Sequence, residues 1–294
     1  MFEALIPTAY GAAPPGGAWV QLDNTNGPTI RTNGSAYGID GKLYAFGGQN
    51  SGTWYRDIRC YDDSTGAWAL LLNATITARH QTHMVAVQGK IYVHGGIGSA
   101  SALADTWVYD PALNTWVQKL SGNARYAGAA AVVGNKMYVC GGWTSNYASD
   151  LKAYNVDTNT WETLSGLPAG GRLDHTLVAV GTKLYLYGGF NGTAFSDHWC
   201  YDTLTDSWTQ LADGSAAKYR HTAVVIDGKI YYFGGRVGAL SVPDVWCYDP
   251  VESTWTAMKP HPGAGRSEHY AGVVNGKMII GEGFSPVDCW QFTP

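Results

Sequence analysis

The chain has 294 residues, 45% of them apolar and 14% charged, and this length is sufficient for one domain with a large core. Its formal net charge of −4 provides no basic excess, which argues against a nucleic-acid partner or binding to an anionic membrane surface. No apolar run reaches the roughly 18 residues of a membrane-spanning helix, so we expect no membrane insertion.

The N-terminal segment and the cysteines bear on the cellular compartment. Residues 1–15 lack the basic region and the continuous apolar core of a secretory signal, and their Ala, Pro and Gly content predicts an arm over residues 1–16. The five cysteines show no disulfide pattern, because Cys60, Cys200 and Cys247 occupy one slot in different copies of a repeat. We therefore predict five buried thiols and synthesis in the reducing cytoplasm.

A glycine pair that follows a short apolar run recurs along the chain. Successive copies are 46 to 48 residues apart, and the sixth copy is degraded to Glu282-Gly283. The five intact pairs are Gly47-Gly48, Gly95-Gly96, Gly141-Gly142, Gly188-Gly189 and Gly234-Gly235. A unit of this length cannot bury its own apolar face, so neighbouring copies must stack or close into a ring.

Every copy has the same internal order of features. A basic residue stands 16 positions before the glycine pair, and a hairpin turn ending in lysine precedes the strand that leads to the glycines. After a variable loop, an Asp stands four residues before an aromatic side chain, and in five copies a tryptophan follows seven residues later. The basic residues are Arg31, Arg79, Arg125, Arg172, Lys218 and Arg266. Four short strands separated by turns are typical of one β-propeller blade.

The last copy ends before its tryptophan, and the N-terminus supplies a matching strand. Residues Trp19-Val20-Gln21-Leu22 resemble the fourth strand of the second copy, which begins at Trp116. We predict an all-β, six-bladed propeller with four antiparallel strands per blade, in which the N-terminal strand completes the C-terminal blade and closes the ring. The predicted domain spans residues 17–294, with blades over 31–72, 79–120, 125–164, 172–211, 218–258, and 266–294 together with 17–22.

This pattern resembles the kelch-repeat family, in which paired glycines follow an apolar strand and a Tyr-Asp step precedes a spaced tryptophan. The resemblance covers residues 19–294 and implies that the loop entering each blade and the loop after each glycine pair share one face around a central funnel. It also implies a protein partner bound at that face. The local departures from the pattern are Glu282, Ile279, Asn155 and Lys218.

Residues that do not recur in the two funnel-facing slots are candidates for a binding site. The slot two residues after the basic position holds Asn33, Gln81, Ala127, Asp174, Arg220 and Glu268. The slot directly after the glycines holds Gln49, Ile97, Trp143, Phe190, Arg236 and Phe284. We predict a ligand-binding site of Arg220, Arg236, Asp174 and Glu268 beside Asn33 and Gln81, walled by Trp143, Phe190 and Phe284. Such a funnel suits a peptide carboxylate or a sugar; alternatively, the opposite charges only neutralise one another.

Histidines recur one residue after the first slot, at His175, His221 and His269. Equivalent positions in three blades do not converge on one ion, so we assign no metal ligand. The chain also lacks a Gly-X-Ser-X-Gly nucleophile motif and a phosphate-binding P-loop, and we assign no catalytic residue and no cofactor.

Two classes of function remain open at this point. The first is a non-catalytic propeller that binds a protein partner, and its low charge and abundant Thr, Ser, Asn and Gly also suit a subunit of a larger assembly such as a virion. The second is a carbohydrate-binding protein or a sugar mutarotase-like enzyme. The resemblance to the bacterial sialic-acid mutarotase, a six-bladed kelch propeller, implies general acid–base and orienting roles for Glu268 and Arg220 in the funnel.

Overall fold

The computed structural model describes residues 16–73, 75–281, 283 and 288–294. All regular structure in these residues is β, and six four-stranded antiparallel sheets form the blades of a propeller. The arm expected over residues 1–16 lies, except for Gly16, outside the described residues. The first strand, β1 (Ala18–Leu22), belongs to the last blade, and the other strands follow in chain order.

The strands of each blade are ordered from the axis outward. Blade 1 contains β2 (Ser35–Ile39), β3 (Lys42–Phe46), β6 (Asp57–Asp62) and β7 (Ala67–Asn73), with a hairpin of β4 (Gln49–Asn50) and β5 (Thr53–Trp54) in its loop. Blade 2 contains β8 (His83–Val87), β9 (Lys90–His94), β10 (Thr106–Asp110) and β11 (Thr115–Lys119). Blade 3 contains β12 (Ala129–Val133), β13 (Lys136–Cys140), β14 (Leu151–Asn155) and β15 (Thr160–Leu164).

The remaining blades repeat this order. Blade 4 contains β16 (Thr176–Val180), β17 (Lys183–Tyr187), β18 (His198–Asp202) and β19 (Ser207–Leu211). Blade 5 contains β20 (Thr222–Ile226), β21 (Lys229–Phe233), β24 (Val245–Asp249) and β25 (Thr254–Met258), with a loop hairpin of β22 (Arg236–Val237) and β23 (Leu240–Ser241). Blade 6 contains β26 (Tyr270–Val274), β27 (Lys277–Gly281), β28 (Cys289–Thr293) and β1. The predicted six-bladed propeller is confirmed.

The N-terminal strand closes the ring as the sequence predicts. Strand β1 pairs antiparallel with β28, with Trp19 opposite Phe292. The Trp19 ring lies 5.0 Å from the Phe292 ring and 5.3 Å from the Phe233 ring of blade 5, and its indole N–H donates to the Lys259 carbonyl at 3.1 Å. The first and last segments of the domain are therefore joined by both backbone hydrogen bonds and aromatic packing.

The first strand of every blade faces the central axis. Neighbouring first strands contact one another around the complete ring and enclose a channel of about 290 Å³. Most of the side chains lining this channel are Ala, Val or absent altogether, as at Gly38 and Gly272. Small apolar residues at these positions allow six strands to approach one axis without filling it.

The recurring tryptophans connect neighbouring blades. The indole N–H of Trp161 in blade 3 donates to the Leu120 carbonyl at the end of blade 2, at 3.1 Å, and that of Trp208 in blade 4 donates to the Ser165 carbonyl at the end of blade 3, at 2.8 Å. Each ring also packs on the tyrosine of its own third strand, such as Tyr154 at 5.2 Å from Trp161. The contact with the tyrosine recurs for all five tryptophans, whereas the hydrogen bond to the preceding blade is formed by Trp161 and Trp208.

A buried ion pair occurs within every blade and involves the two charged positions of the repeat. In blade 2, Arg79 donates to both carboxylate oxygens of Asp105 at 2.6 and 2.8 Å and to the Gly95 carbonyl at 3.0 Å. The six pairs have N–O distances of 2.5 to 2.8 Å, and every basic side chain is at most 4% exposed. The acids are Asp57, Asp105, Asp150, Asp197, Asp244 and Asp288. We call this ion pair the blade clamp, and in blades 1 to 4 its arginine also donates to the carbonyl of the first glycine.

The cysteine thiols lie in the interior of the blades. All five cysteines are buried, and none forms a disulfide in the described part of the chain. Burial raises the pKa of the Cys60 thiol to about 11 and that of the Cys140 thiol to about 12, so these groups are neutral at physiological pH. No helix long and apolar enough to cross a bilayer occurs among the described residues.

Ring closure by β1 predicts a localised stability cost. Trp19→Ala removes a ring packed on two blades and is expected to lower the free energy of unfolding by about 3 kcal/mol. Val20→Ala, a substitution at a half-exposed neighbour on the same strand, should change it by less than about 0.5 kcal/mol. Denaturant unfolding of the two variants measures the difference, and equal effects would contradict the closing role of Trp19.

Candidate functional site

Six residues, one from each blade, form a closed ring of backbone hydrogen bonds around the axis. Each N–H in this ring donates to the carbonyl of the equivalent residue in the preceding blade, with N–O distances of 2.7 to 3.3 Å. The members are the first predicted slot: Asn33, Gln81, Ala127, Asp174, Arg220 and Glu268. The ring lies on the face that carries the blade-entry loops and the post-glycine loops, which we call the loop face.

All six ring residues have a left-handed backbone conformation, with φ between +54° and +60°. This conformation is costly for a residue with a Cβ atom and persists only where the surroundings enforce it. Here the blade clamp fixes the residue two positions earlier, and the hydrogen bonds from both neighbouring blades fix the ring residue itself. The repeat therefore dictates the backbone of this slot but leaves its side chain free to vary.

Three ring side chains form an ion cluster on the loop face of the ring. Arg220 donates from Nε to Asp174 Oδ2 at 2.9 Å and from Nη1 to Glu268 Oε1. The other oxygen of Glu268 accepts a hydrogen bond from the Asn33 amide at 3.2 Å. The carboxylate side chains of Asp174 and Glu268 are only 7% and 5% exposed, whereas that of Arg220 is 31% exposed.

The net charge of this cluster bears on which ligands the ring could bind. Two buried carboxylates share one guanidinium, so the cluster carries a formal charge of −1. Burial raises the pKa of the Asp174 carboxyl, and the neighbouring Glu268 charge acts in the same direction, although Arg220 opposes both. Two donors of Arg220 are already used within the chain. A ligand carboxylate placed here would face two acids, and this arrangement disfavours it.

A small cavity of about 130 Å³ opens above the ring, and we call it the mouth. Of the predicted site residues, Asn33, Gln81, Asp174, Arg220 and Glu268 line it together. The remaining lining includes Ser35, Thr82 and three histidines, all uncharged or neutral at physiological pH. The structure thus brings most of the first slot to one place.

The three histidines that line the mouth each directly follow a ring residue, and all three are buried. Burial lowers the pKa of His175 and His269 to about 3 and that of His221 well below its ordinary value. The Nε2 atoms of His221 and His269 lie 3.1 and 2.9 Å from the hydroxyls of Thr176 and Thr222 in the preceding blade. No group of three or more His, Cys, Asp or Glu side chains in the described ranges is placed to hold a metal ion.

His175 lacks the bond that the other two histidines make. The threonine of the preceding blade is replaced by Ala129 at the start of β12, and Nε2 of His175 has no hydrogen-bond partner among the described residues. The side chain is 5% exposed and lines the mouth. A buried imidazole nitrogen without a partner is unfavourable by itself and marks this part of the mouth as incomplete.

The second predicted slot lies outside the mouth. Arg236 begins the β22–β23 hairpin, and its backbone pairs with Tyr219 while its Nη2 donates to the Ala239 carbonyl at 3.0 Å. It therefore does not join Arg220, because its side chain follows its own hairpin. Trp143 and Phe190 lie at the equivalent positions of blades 3 and 4 and do not line the mouth. Phe284 lies outside the described residues.

The structure adds aromatic residues that the sequence pattern did not single out. The Trp143 ring contacts Tyr147 edge-on at 5.1 Å, and Phe190 contacts Tyr219 of the next blade at 5.0 Å. Tyr126 pairs through its backbone with Trp143. We call these five half-buried residues the loop-face aromatics. Tyr126 and Tyr219 directly follow the recurring basic residue, and this position in the sequence could have identified them as loop-face residues.

The residue two positions after the clamp Asp is a further recurring feature of the blades. In four blades, a tryptophan two residues after the clamp Asp donates its indole N–H to that carboxylate, as Trp107 does to Asp105 at 2.7 Å. Arg59 holds this slot in blade 1 and donates to Asp57 at 2.8 Å. Lys152 holds it in blade 3, 3.9 Å from Asp150. Both are parts of blade clamps rather than candidates for binding.

A known protein family matches nearly the whole propeller. Residues 17–122 and 127–293 match the family profile described as the KLHDC2/KLHL20/DRC7 Kelch-repeats domain. Comparison with curated proteins gives no significant match. The matched ranges include all six blades, the closing strand and every described residue of the mouth.

The two predicted arginines should differ in their effect on stability. Arg220→Ala leaves Asp174 and Glu268 buried without their cation, and we expect a loss of about 3 kcal/mol in the free energy of unfolding. Arg236→Ala removes a side chain bonded only within its own hairpin and should cost about 0.5 kcal/mol or less. Urea titration of both variants tests this difference, and an unchanged stability of Arg220→Ala would refute the structural role of the cluster.

The buried histidines predict a loss of stability in mild acid. Three of them have a pKa of about 3 in the fold, namely His175, His198 and His269. Unfolded histidines titrate near pH 6.5, so the unfolded chain binds more protons between about pH 6.5 and 3. Each such histidine should lower the free energy of unfolding by up to about 1.4 kcal/mol per pH unit in this window. Urea unfolding at pH 7.5 and 5.0 measures the effect, and equal stabilities would contradict it.

Proposed function

This chain belongs to the kelch-repeat family, and we propose that it is a non-catalytic recognition propeller that binds a protein partner through its loop face. Kelch propeller domains generally mediate protein–protein interaction. The finer parts of the proposal are the choice of the loop face and the residues on it. They rest on how apolar, aromatic and charged side chains are distributed over this surface.

The loop-face aromatics are the observation that carries the proposal. Tyr and Trp are enriched at protein interfaces because they present a large, rigid apolar area with a polar tip. Blades 3 to 5 place five such half-buried rings on one face. The adjacent β22–β23 hairpin adds Val237 and Leu240, the second of which is 71% exposed. An apolar surface next to a charged cavity suits a partner segment that carries both apolar and charged side chains.

The geometry of the mouth favours binding over catalysis. Both oxygens of Glu268 are engaged, one by Arg220 and one by Asn33, so this group is not free to exchange a proton with a substrate. The mouth holds about 130 Å³, below the roughly 300 Å³ at which small-molecule sites begin. These features support neither a mutarotase-like reaction nor a buried sugar ring, and no observation favours the carbohydrate alternative.

Membership of a larger assembly such as a virion stays a prediction from composition. Its basis is the low charged fraction of 14% together with many small polar residues. The cytoplasmic site of synthesis is likewise a prediction from the sequence. Co-sedimentation of the native protein with particles purified from its source would support the assembly, and recovery only as a free monomer would argue against it.

The proposed binding face can be tested with a matched pair of variants. Tagged wild-type propeller is incubated with extract of its source cells, and captured proteins are identified after cross-linking by mass spectrometry. Trp143→Ala, on the loop face, should reduce recovery of a specific partner more than ten-fold, about 1.4 kcal/mol. Leu204→Ala, which alters a 78% exposed side chain at a β18–β19 turn on the opposite face, should leave recovery unchanged. The reverse result would place the interface on that opposite face, which carries the β18–β19 turn and which we call the turn face.

A further inference from the structure

The mouth contains hydrogen-bond acceptors that the chain itself does not use. Asp174 binds Arg220 through Oδ2 only, and no hydrogen bond to its Oδ1 is formed by the described residues. Nε2 of His175 is buried and unpartnered because Ala129 stands where two other blades have threonine. The amide of Gln81 lines the same cavity. Asp174, the adjoining His175 and, across Ala127 in the ring, Gln81 therefore line one small cavity.

The charge balance of this space selects the sign of a ligand. The basic residue of each blade clamp is paired with its own Asp, and the additional cations Arg59 and Lys152 of blades 1 and 3 do not line the mouth. The ion cluster itself has two carboxylates for one guanidinium, and the lining histidines are neutral. At low local dielectric a formal charge of −1 attracts a cation and repels a carboxylate.

The size of the space narrows the choice among cations. A lysine ammonium is compact and carries three donors and no acceptor, which matches three acceptors around one point. A guanidinium is planar, carries five donors and would require room that Arg220 already occupies. A metal ion would need converging ligands, and the described residues provide no such group of three.

We propose that the mouth receives a primary ammonium group, supplied by a lysine side chain of the partner segment that the loop face binds. This inference rests on the proposed function and specifies the chemistry of the partner. The lysine stem passes the loop-face aromatics, and its ammonium group donates to Asp174, to Nε2 of His175 and to the Gln81 amide. The lysine thereby completes the hydrogen bonding that Ala129 leaves open.

The first test uses small probes of matched length and needs no variant. n-Butylammonium chloride, sodium butyrate and n-butanol are each titrated to 50 mM, about the weak range expected for such fragments, into protein with labelled histidine and arginine side chains. Butylammonium should shift the NMR signals of His175 and Arg220 saturably, and the other two probes should not. Butyrate binding at these signals, equal responses to all three probes, or no saturable response to butylammonium would each overturn the proposal.

Variants then assign the acceptors. Asp174→Asn preserves the shape but removes the charge and should weaken butylammonium binding at least ten-fold. Ala129→Thr supplies His175 with the hydroxyl found in the other blades and should weaken binding several-fold without loss of stability. Asp213→Asn removes an exposed charge from a loop outside the mouth and should leave the affinity unchanged. Intact His221 and His269 signals verify folding, and unchanged affinity in the first two variants would contradict the assignment.

The outcome is separable from that of the proposed function. Capture of the partner through Trp143 by a segment whose lysines can all be replaced without loss would refute the ammonium site alone. Butylammonium binding at the mouth combined with capture through the turn face would refute the loop-face interface alone.

Discussion

The buried ion pair within each blade is the constraint on which the rest of the propeller depends. Arg79 in blade 2 joins the blade-entry loop, the glycine carbonyl at the end of the second strand and the Asp that begins the third strand. Removing either charge would leave the other buried without a partner, at a typical cost of about 3–5 kcal/mol. Because the pair fixes the entry loop, it also fixes Gln81 two residues later in its left-handed conformation. The same ion pair thus stabilises the blade and helps to hold the backbone that lines the mouth.

Much of the fold was predictable, since it depends on features that repeat. The period of the glycine pairs gave the blade number, and Trp19 gave the closing strand. The sequence could not reveal that a donor recurs two residues after each clamp Asp. Trp107 and Arg59 belong to different chemical classes, yet each donates an N–H to the Asp of its own blade clamp. The Lys152 ammonium lies 3.9 Å from Asp150 and donates to the Thr163 hydroxyl. Residues of different types can therefore occupy equivalent positions in a repeat, and a search for identical residues does not find them.

The residues that line the mouth could be named from the sequence, but the bonds between them could not. The resemblance to kelch repeats implied that the slot of Asp174, Arg220 and Glu268 faces the funnel, and the spacing from the recurring basic residue identified its members. That Arg220 reaches both acids depends on the backbone ring, which requires six blades in register and a positive φ that no single repeat discloses. The same ring brings two carboxylates to one guanidinium, and the excess of negative charge depends on this arrangement. Arg236, equally unusual in sequence, follows its hairpin away from the axis.

Function in a ring of equivalent blades must come from the positions that break the equivalence. The backbone ring is the same in all six blades, so it cannot orient a partner. Aromatic rings concentrate on blades 3 to 5, and the excess charge lies where blades 4, 5 and 6 meet. The vacancy left by Ala129 lies between blades 3 and 4, where these two zones adjoin. A linear segment with a basic residue beside apolar ones can satisfy both zones in only one direction, and this asymmetry supplies specificity that the symmetric scaffold lacks.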